Sequence, residues 1–78
     1  MLITKVLHDR ELTSTEKVLF VEIHTQTKLL WYCSMTNDEI GKLLNLSAKT
    51  VSRSIATLYR KNYVTKCFDG NTRMLKTV

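Results

Sequence analysis

The chain has 78 residues, with 12 Lys and Arg against 7 Asp and Glu, a formal net charge of +5 and two cysteines. This length limits it to one small domain with a modest core, and the sequence contains neither an apolar run that could span a bilayer nor a secretory signal. Because disulfide-dependent secreted domains carry more cysteines, we expect a cytoplasmic protein in which Cys33 and Cys67 are reduced and buried.

Residues 1–12 form a first segment with apolar positions but neither a helix cap nor a sustained period. We interpret it as an arm that packs on the core or on a partner chain. A helix is predicted next, because Thr13 or Ser14 can cap a helix that begins near Thr15, with Glu16 in the first turn to complement the helix dipole. The side chains expected on its buried stripe are Val18, Leu19, Ile23 and, at the far end, Leu29 or Leu30.

A short aromatic run follows this helix. Leu30-Trp31-Tyr32-Cys33 favours extended backbone, so we expect one brief strand there. We expect Trp31 to anchor the core or its rim rather than to stack on a nucleic-acid base, because an aromatic residue beside an apolar run usually packs.

Residues 36–62 predict a helix-turn-helix. Thr36 and Glu39 have the spacing of a capping box, Ser47 can cap a second helix, and Asn45 lies where the first helix must stop. Gly41 allows the close approach that steeply crossing helices need. The buried side chains expected are Ile40, Leu43 and Leu44, then Leu46 in the turn, then Val51, Ile55 and Leu58. The alternative is an ordinary helical hairpin with a solvated basic face.

Two segments of alternating character, 63–68 and 72–78, flank Asp69-Gly70-Asn71. Asp-Gly predicts a tight hairpin because such turns need positive φ angles. A hairpin directly after a helix-turn-helix is a wing, which either contacts DNA or only closes the core. The predicted fold class is therefore α+β, mainly α: a winged helix-turn-helix with a three-helix core and a C-terminal β-hairpin wing, in a single domain of residues 1–78.

Charge is distributed unevenly along the chain. Residues 1–39 hold four basic and six acidic side chains, a net charge of −2, whereas residues 40–78 hold eight basic and one acidic, a net charge of +7. This polarity favours a polyanionic partner. Arg and short hydroxyl side chains on a helix can read base edges in the major groove. The candidates for reading bases are Lys49, Thr50, Ser52 and Arg53, and the candidates for contacting the DNA backbone are Lys42, Ser47, Thr57, Arg60, Lys61, Lys66 and Arg73.

Reactive residues form no catalytic pattern. The residues His8, His24, Cys33 and Cys67 lack the paired spacing of zinc ligands, and neither a Gly-rich phosphate loop nor a nucleophile elbow is present in the sequence. We therefore expect no enzymatic activity, no metal and no cofactor.

The stretches KVLHDRELTSTEKVLFVEI and WYCSMTNDEIGKLLNLSAKTVSRSIATLYRKNYV resemble the amino-terminal winged helix-turn-helix of phage and plasmid replication proteins, including replisome organisers and DnaD-like primosome proteins. The resemblance implies DNA binding in replication initiation. Relatives commonly place Gly before the wing, where this chain has Lys61-Asn62-Tyr63, although Asn62 can also adopt a left-handed backbone. Larger relatives continue into a second domain, so the chain is either a domain excised from an initiator or a complete small phage or plasmid protein.

Three functions stay open at this point. The favoured one is sequence-specific binding of double-stranded DNA in phage or plasmid replication initiation, with replication proteins as further partners. The second is a small transcriptional regulator that uses the same surface, and the third is a winged-helix module for protein-protein interaction whose arm, Met1–Leu7, drives self-association. Because one helix reads only a few base pairs, we also expect a homodimer on DNA.

Overall fold

The computed structural model describes residues 2–78, which form four helices and one antiparallel hairpin. The elements are α1 (Leu2–Leu7), α2 (Ser14–Leu30), α3 (Asn37–Leu44), α4 (Ala48–Arg60), β1 (Val64–Asp69) and β2 (Thr72–Thr77). This arrangement confirms the predicted α+β, mainly helical winged helix-turn-helix. Within the part of the chain that is described, no helix combines the length and the apolarity needed to cross a membrane.

The segment interpreted as an arm contains the short helix α1, which packs on the core of the same chain. Val6 and Leu12 are buried, and Ile3 packs against the buried cluster. The loop after α1 is joined to the far end of α4: the Tyr63 hydroxyl donates to Asp9 Oδ2 at 2.5 Å, and Lys61 Nζ lies 3.2 Å from Asp9 Oδ2 and 2.6 Å from Glu11 Oε1. We call these four side chains the loop latch.

The loop latch makes stability depend on pH at the acidic end. The hydrogen bond from Tyr63 is the largest of several contacts that lower the pKa of Asp9 from its ordinary value of 3.8. A carboxyl with a depressed pKa in the folded state stabilises the fold above its unfolded pKa, and this contribution is lost as the pH falls through the folded value. We therefore expect the melting temperature to fall below about pH 4, and less so in Asp9→Asn. If the melting temperatures of the wild type and of Asp9→Asn fall by the same amount between pH 6 and pH 2, Asp9 does not have this role.

Helix α2 begins at the predicted cap, with a more complete capping box than expected. The Thr13 hydroxyl accepts from the amide of Glu16, whose carboxylate accepts from the amide of Thr13. Leu19, Phe20 and Ile23 are buried, because α4 and β2 pack on that side of the helix. The predictions that Val18 and either Leu29 or Leu30 would be buried are wrong: Val18 is 52% exposed and both leucines are also exposed.

The brief strand predicted around Trp31 is reduced to a single residue. Leu30 is the last residue of α2, and Trp31 adopts a left-handed backbone with φ of 74° at the end of the helix. Only Cys33 reaches the sheet, through two backbone hydrogen bonds with Leu75 of 2.7 and 2.9 Å. Trp31 is 78% exposed, so the prediction that it anchors the core is wrong. Helix α2 turns the side chain outward before the chain enters the core at Cys33.

The helix-turn-helix forms as its capping signals predict. Thr36 and Glu39 complete a capping box at the start of α3, and Asn45 ends α3 in the left-handed region with φ of 60°. A side chain at Gly41 would collide with the backbone of the turn. The buried residues are Ile40, Val51, Ile55 and Leu58, while Leu44 and Leu46 pack on the cluster. Leu43 is exposed, contrary to the prediction.

The wing is a two-stranded hairpin in which Asp69 pairs with Thr72. Gly70 is the first of its two turn residues and has φ of 61°, the position that type II′ turns give to glycine. Asn62 has a left-handed backbone with φ of 64° directly before the wing, the conformation that the sequence allowed it to adopt. Leu75 and Val64 join the core, whereas β1 is otherwise exposed. Consequently Cys33 is buried as predicted, but Cys67 is exposed.

Candidate nucleic-acid interface

Helix α4 presents a continuous polar stripe to solvent. Residues three and four positions apart lie on the same side of a helix, and Lys49, Ser52, Arg53, Ala56 and Arg60 are all exposed. The opposite side carries the buried Val51, Ile55 and Leu58, so packing against α2 and α3 holds the exposed stripe outward. We call these five exposed residues the α4 stripe.

Three of the candidate hydroxyls are engaged in the helix itself. Ser47 caps α4 by accepting from the amide of Thr50 at 3.1 Å, and its hydroxyl also donates to Thr50 Oγ1 at 2.9 Å. Thr57 donates to the carbonyl of Arg53 at 3.1 Å. Thr50 and Thr57 are half-buried, whereas Ser52 is exposed. Among the base-reading candidates, the side chains that project fully to solvent are therefore Lys49, Ser52 and Arg53.

Most of the basic candidates carry uncompensated charge. Within residues 2–78, ion pairs are found only at Lys61. Lys42, in the last turn of α3, and three basic residues of the α4 stripe are exposed and make no ion pair within the described residues. The three stripe residues are Lys49, Arg53 and Arg60. The pKa of Glu39 is lowered by its hydrogen bonds with Thr36 and, to a smaller extent, by the charge of the nearby Lys42. Four unpaired cations thus lie on α3 and α4, the two helices of the helix-turn-helix.

Lys61 differs from these cations because it belongs to the loop latch. Its ammonium group contacts both Asp9 and Glu11, and these contacts raise its pKa, with the hydrogen bond to Glu11 as the largest cause. The two carboxylates compensate the charge of the Lys61 ammonium group. Sequence reasoning could not detect this, since the acidic partners lie about fifty positions away along the chain.

The two basic candidates of the wing contact the helices. Lys66 Nζ lies 4.7 Å from the centre of the Tyr59 ring, a cation–π contact with α4. Arg73 donates to Asn37 Oδ1 at 2.7 Å and to the carbonyl of Met35 at 2.9 Å. Its Nε is buried without a hydrogen-bond partner, and burial lowers the pKa of its guanidinium. Arg73 therefore joins β2 to the start of α3, while Lys66 stays exposed.

A cleft of about 640 Å³ separates the wing from the beginnings of α3 and α4. Phe68, Asn71 and Arg73 line it on the wing side, and Asn37 and Ala48 line it on the helix side. Phe68 is 65% exposed, although it is a large aromatic residue. Phe68 was not among the site candidates predicted from the sequence, and the signal that could have identified it is an aromatic side chain directly before the Asp69-Gly70 of the hairpin. Among the described residues, no group of three or more His, Cys, Asp or Glu is arranged to hold a metal ion.

Comparison with known proteins identifies the fold. No model of a protein family matches the chain, and no curated protein matches it. Among solved structures, it is similar to MepR, a transcription regulator of the Staphylococcus aureus multidrug efflux pump MepA, with a TM-score of 0.73 and 17% sequence identity. The match covers 99% of this chain and 57% of that chain, so this chain spans little more than half the length of MepR. At this identity the likeness establishes a shared fold.

Proposed function

We propose that the chain binds double-stranded DNA, with α4 in the major groove and the wing beside the neighbouring backbone. The observation that carries this proposal is the α4 stripe, in which three unpaired cations and one free hydroxyl side chain share one side of an amphipathic helix. An α-helix fits the major groove, and an arginine in it can donate two hydrogen bonds to guanine. Lys42 and Lys66 extend the positive surface to either side of α4.

The roles follow from exposure and from existing partners. Lys49, Ser52 and Arg53 are assigned to base edges, with Thr50 as a further contact from the first turn. Lys42, Arg60 and Lys66 are assigned to phosphates, with Ser47 and Thr57 beside them at the helix surface. Lys61 and Arg73 act through the fold, since the guanidinium of Arg73 holds the wing and the ammonium of Lys61 is compensated by carboxylates.

We place this DNA binding in phage or plasmid replication initiation, in contact with replication proteins and with two copies of the chain per site. The support for replication is the resemblance of the stretches KVLHDRELTSTEKVLFVEI and WYCSMTNDEIGKLLNLSAKTVSRSIATLYRKNYV to replication proteins. Two copies are expected because one helix reads only a few base pairs. Transcription regulation is the second candidate, favoured by the structural likeness to MepR, which is itself a transcription regulator. The positions of the preferred sites discriminate the two, because an initiator binds repeated sites at an origin whereas a regulator binds within promoters.

The phosphate contact assigned to Lys66 is tested with Lys66→Ala. Each phosphate contact contributes about −0.9 to the slope of log affinity against log salt concentration. The affinity of this variant for specific and for random duplexes should therefore fall by the same factor, and the magnitude of its salt slope should be smaller by about 1. Fluorescence anisotropy across a salt series measures both quantities. Lys28→Ala is the matched control, since Lys28 is an exposed lysine at the end of α2. If the salt slope of Lys66→Ala equals that of Lys28→Ala, Lys66 does not contact the DNA.

A further inference from the structure

Helix α2 is apolar on two sides, which distinguishes it from α3 and α4. One side carries Leu19, Phe20 and Ile23 into the core. On the other side, Val18 is 52% and Val21 is 36% exposed. A helix that is apolar around its circumference is typically buried on all sides. The second side of α2 therefore has the character of a contact surface, although no element of the described chain covers it.

Two shallow hollows lie over this side of α2. One, of about 240 Å³, is lined by Leu7, Val18, Val21 and Leu44 together with two charged side chains, and the other, of about 210 Å³, lies between Val18, Leu44 and Leu46. We call Leu7, Val18, Val21, Leu44 and Leu46 the α2 face. Neither hollow is lined by a residue that the proposed function assigns to DNA, so the α2 face and the proposed DNA-binding surface share no residue.

The two charged side chains at the α2 face have opposite signs. Lys17 directly precedes Val18 and Glu22 directly follows Val21, which places them on opposite margins of the valine pair, as charged residues flank the apolar positions of a coiled coil. Both are half-buried beside the first hollow. Among residues 2–78 neither has an ion-pair partner, although Glu22 accepts a hydrogen bond from Gln26.

We propose that the α2 face packs against the α2 face of a second copy of this chain, about a twofold axis parallel to α2, so that the two helices run in the same direction and Lys17 of each copy meets Glu22 of the other. An interface between identical surfaces must be self-complementary. An apolar centre with opposite charges on its two margins meets that condition, because the rotation exchanges the margins. The idea that such a dimer places two α4 helices on one DNA duplex rests on the proposed function. The contact between the two chains does not, and it can be measured without DNA.

The size of the α2 face predicts a dimer that dissociates. Interfaces that bury less than about 1,200 Å² belong to weak or transient complexes, and the α2 face has only five apolar side chains. We therefore expect the weight-average mass in sedimentation equilibrium to rise from monomer toward dimer with increasing protein concentration. A wild type that stays monomeric over the whole accessible range would overturn the proposal and leave a different kind of protein as the occupant.

Val18→Glu tests the apolar centre. Two glutamates would face each other near the twofold axis, and the dissociation constant should rise by at least about tenfold, because like charges brought together at an interface are strongly unfavourable. Leu30→Glu is the matched control: Leu30 is an exposed leucine of the same helix outside the α2 face. Both substitutions are at exposed positions, and thermal melts establish that both variants fold. If the dimer dissociation constants of Val18→Glu and Leu30→Glu are equal, the proposal is overturned.

The charge pairs test the identity of the partner. Lys17→Glu and Glu22→Lys should each weaken self-association, because each variant brings like charges together across the axis. An equimolar mixture of the two variants should form heterodimers with two restored ion pairs and so recover the affinity of the wild type. Only a twofold contact between copies predicts this recovery, and a mixture that associates no better than either variant alone would overturn it. The affinity of each variant for a short duplex with a single site is measured in parallel by fluorescence anisotropy. This affinity should be the same for all variants, so a failure of the contact between chains can be distinguished from a failure of DNA binding.

Discussion

Arg53→Ala should lower the affinity for the preferred duplex by roughly 5- to 150-fold, corresponding to about 1–3 kcal/mol for a lost bidentate base contact. Arg53 is exposed on the α4 stripe, one helical turn from Lys49, and its guanidinium has no acidic partner within the described residues. The loss should be larger on the preferred sequence than on a random duplex, because only the former offers the matching guanine. Fluorescence anisotropy with a site selected from a random library and with a random duplex measures both.

Arg53→Lys is the matched control for charge. A lysine at this position keeps the positive charge but cannot donate in the planar, two-pronged geometry of a guanidinium. It should therefore retain most of the affinity for random DNA and lose much of the preference for the selected site. If Arg53→Ala and Arg53→Lys weaken selected and random duplexes by the same factor, Arg53 contacts phosphate and the base reader is another residue of the α4 stripe.

Gly41→Ala should have the largest effect on stability. A Cβ atom at this position would lie 2.5 Å from the carbonyl oxygen of Leu46, which is backbone and not the movable end of a side chain. The turn is also tied to the same residue, since the amide of Leu46 donates to the carbonyl of Gly41 at 2.8 Å. Overpacking of this kind typically costs about 1–3 kcal/mol. For a domain of this size, each kcal/mol lowers the melting temperature by about 4–8 °C.

Gly70→Ala is the control for loss of a glycine. The Gly70 position has open space around a new Cβ atom, but its φ of 61° is unfavourable for an alanine. The expected cost is about 1–2 kcal/mol from the left-handed backbone alone. Thermal and urea unfolding of both variants should show Gly41→Ala as the less stable. A Gly41→Ala protein as stable as the wild type would mean that α3 and the turn do not approach as closely as described.

Local signals in the sequence determined much of the fold. The capping box at Thr36, the cap near Thr13 and the cap at Ser47 each depend on residues within three positions of one another, so they could be predicted before any tertiary structure was known. The full capping box between Thr13 and Glu16 was not predicted. The apolar spacing of α4 was equally informative, because that helix has one buried and one polar side. Asp69-Gly70-Asn71 indicated the hairpin for the same reason, although the turn residues are Gly70 and Asn71, and Asp69 is the last residue of β1 rather than a turn residue with positive φ.

Contacts between distant residues explain what the sequence did not reveal. Arg73 was assigned to DNA from its position in the wing, but its hydrogen-bond partners lie 36 and 38 positions away. Val18 was expected in the core because α2 is apolar on two sides, and periodicity alone does not indicate which side packs on α4. The reversal at Trp31 was missed because a left-handed backbone is uncommon for a bulky residue. The assignments of the DNA-contacting residues stay predictions.

The salt dependence of DNA binding by the wild type tests the central proposal most directly. Anisotropy of a labelled random duplex, titrated at salt concentrations from low to physiological, gives log affinity against log salt. On a random duplex, which offers no matching base edges, five exposed cations on α3, α4 and β1 can each neutralise one phosphate, and at about −0.9 per phosphate they predict a straight line with a slope of about −4.5. The members of this set are Lys42, Lys49, Arg53, Arg60 and Lys66. A duplex that stays unbound at low salt would contradict DNA binding and favour a module for protein-protein interaction.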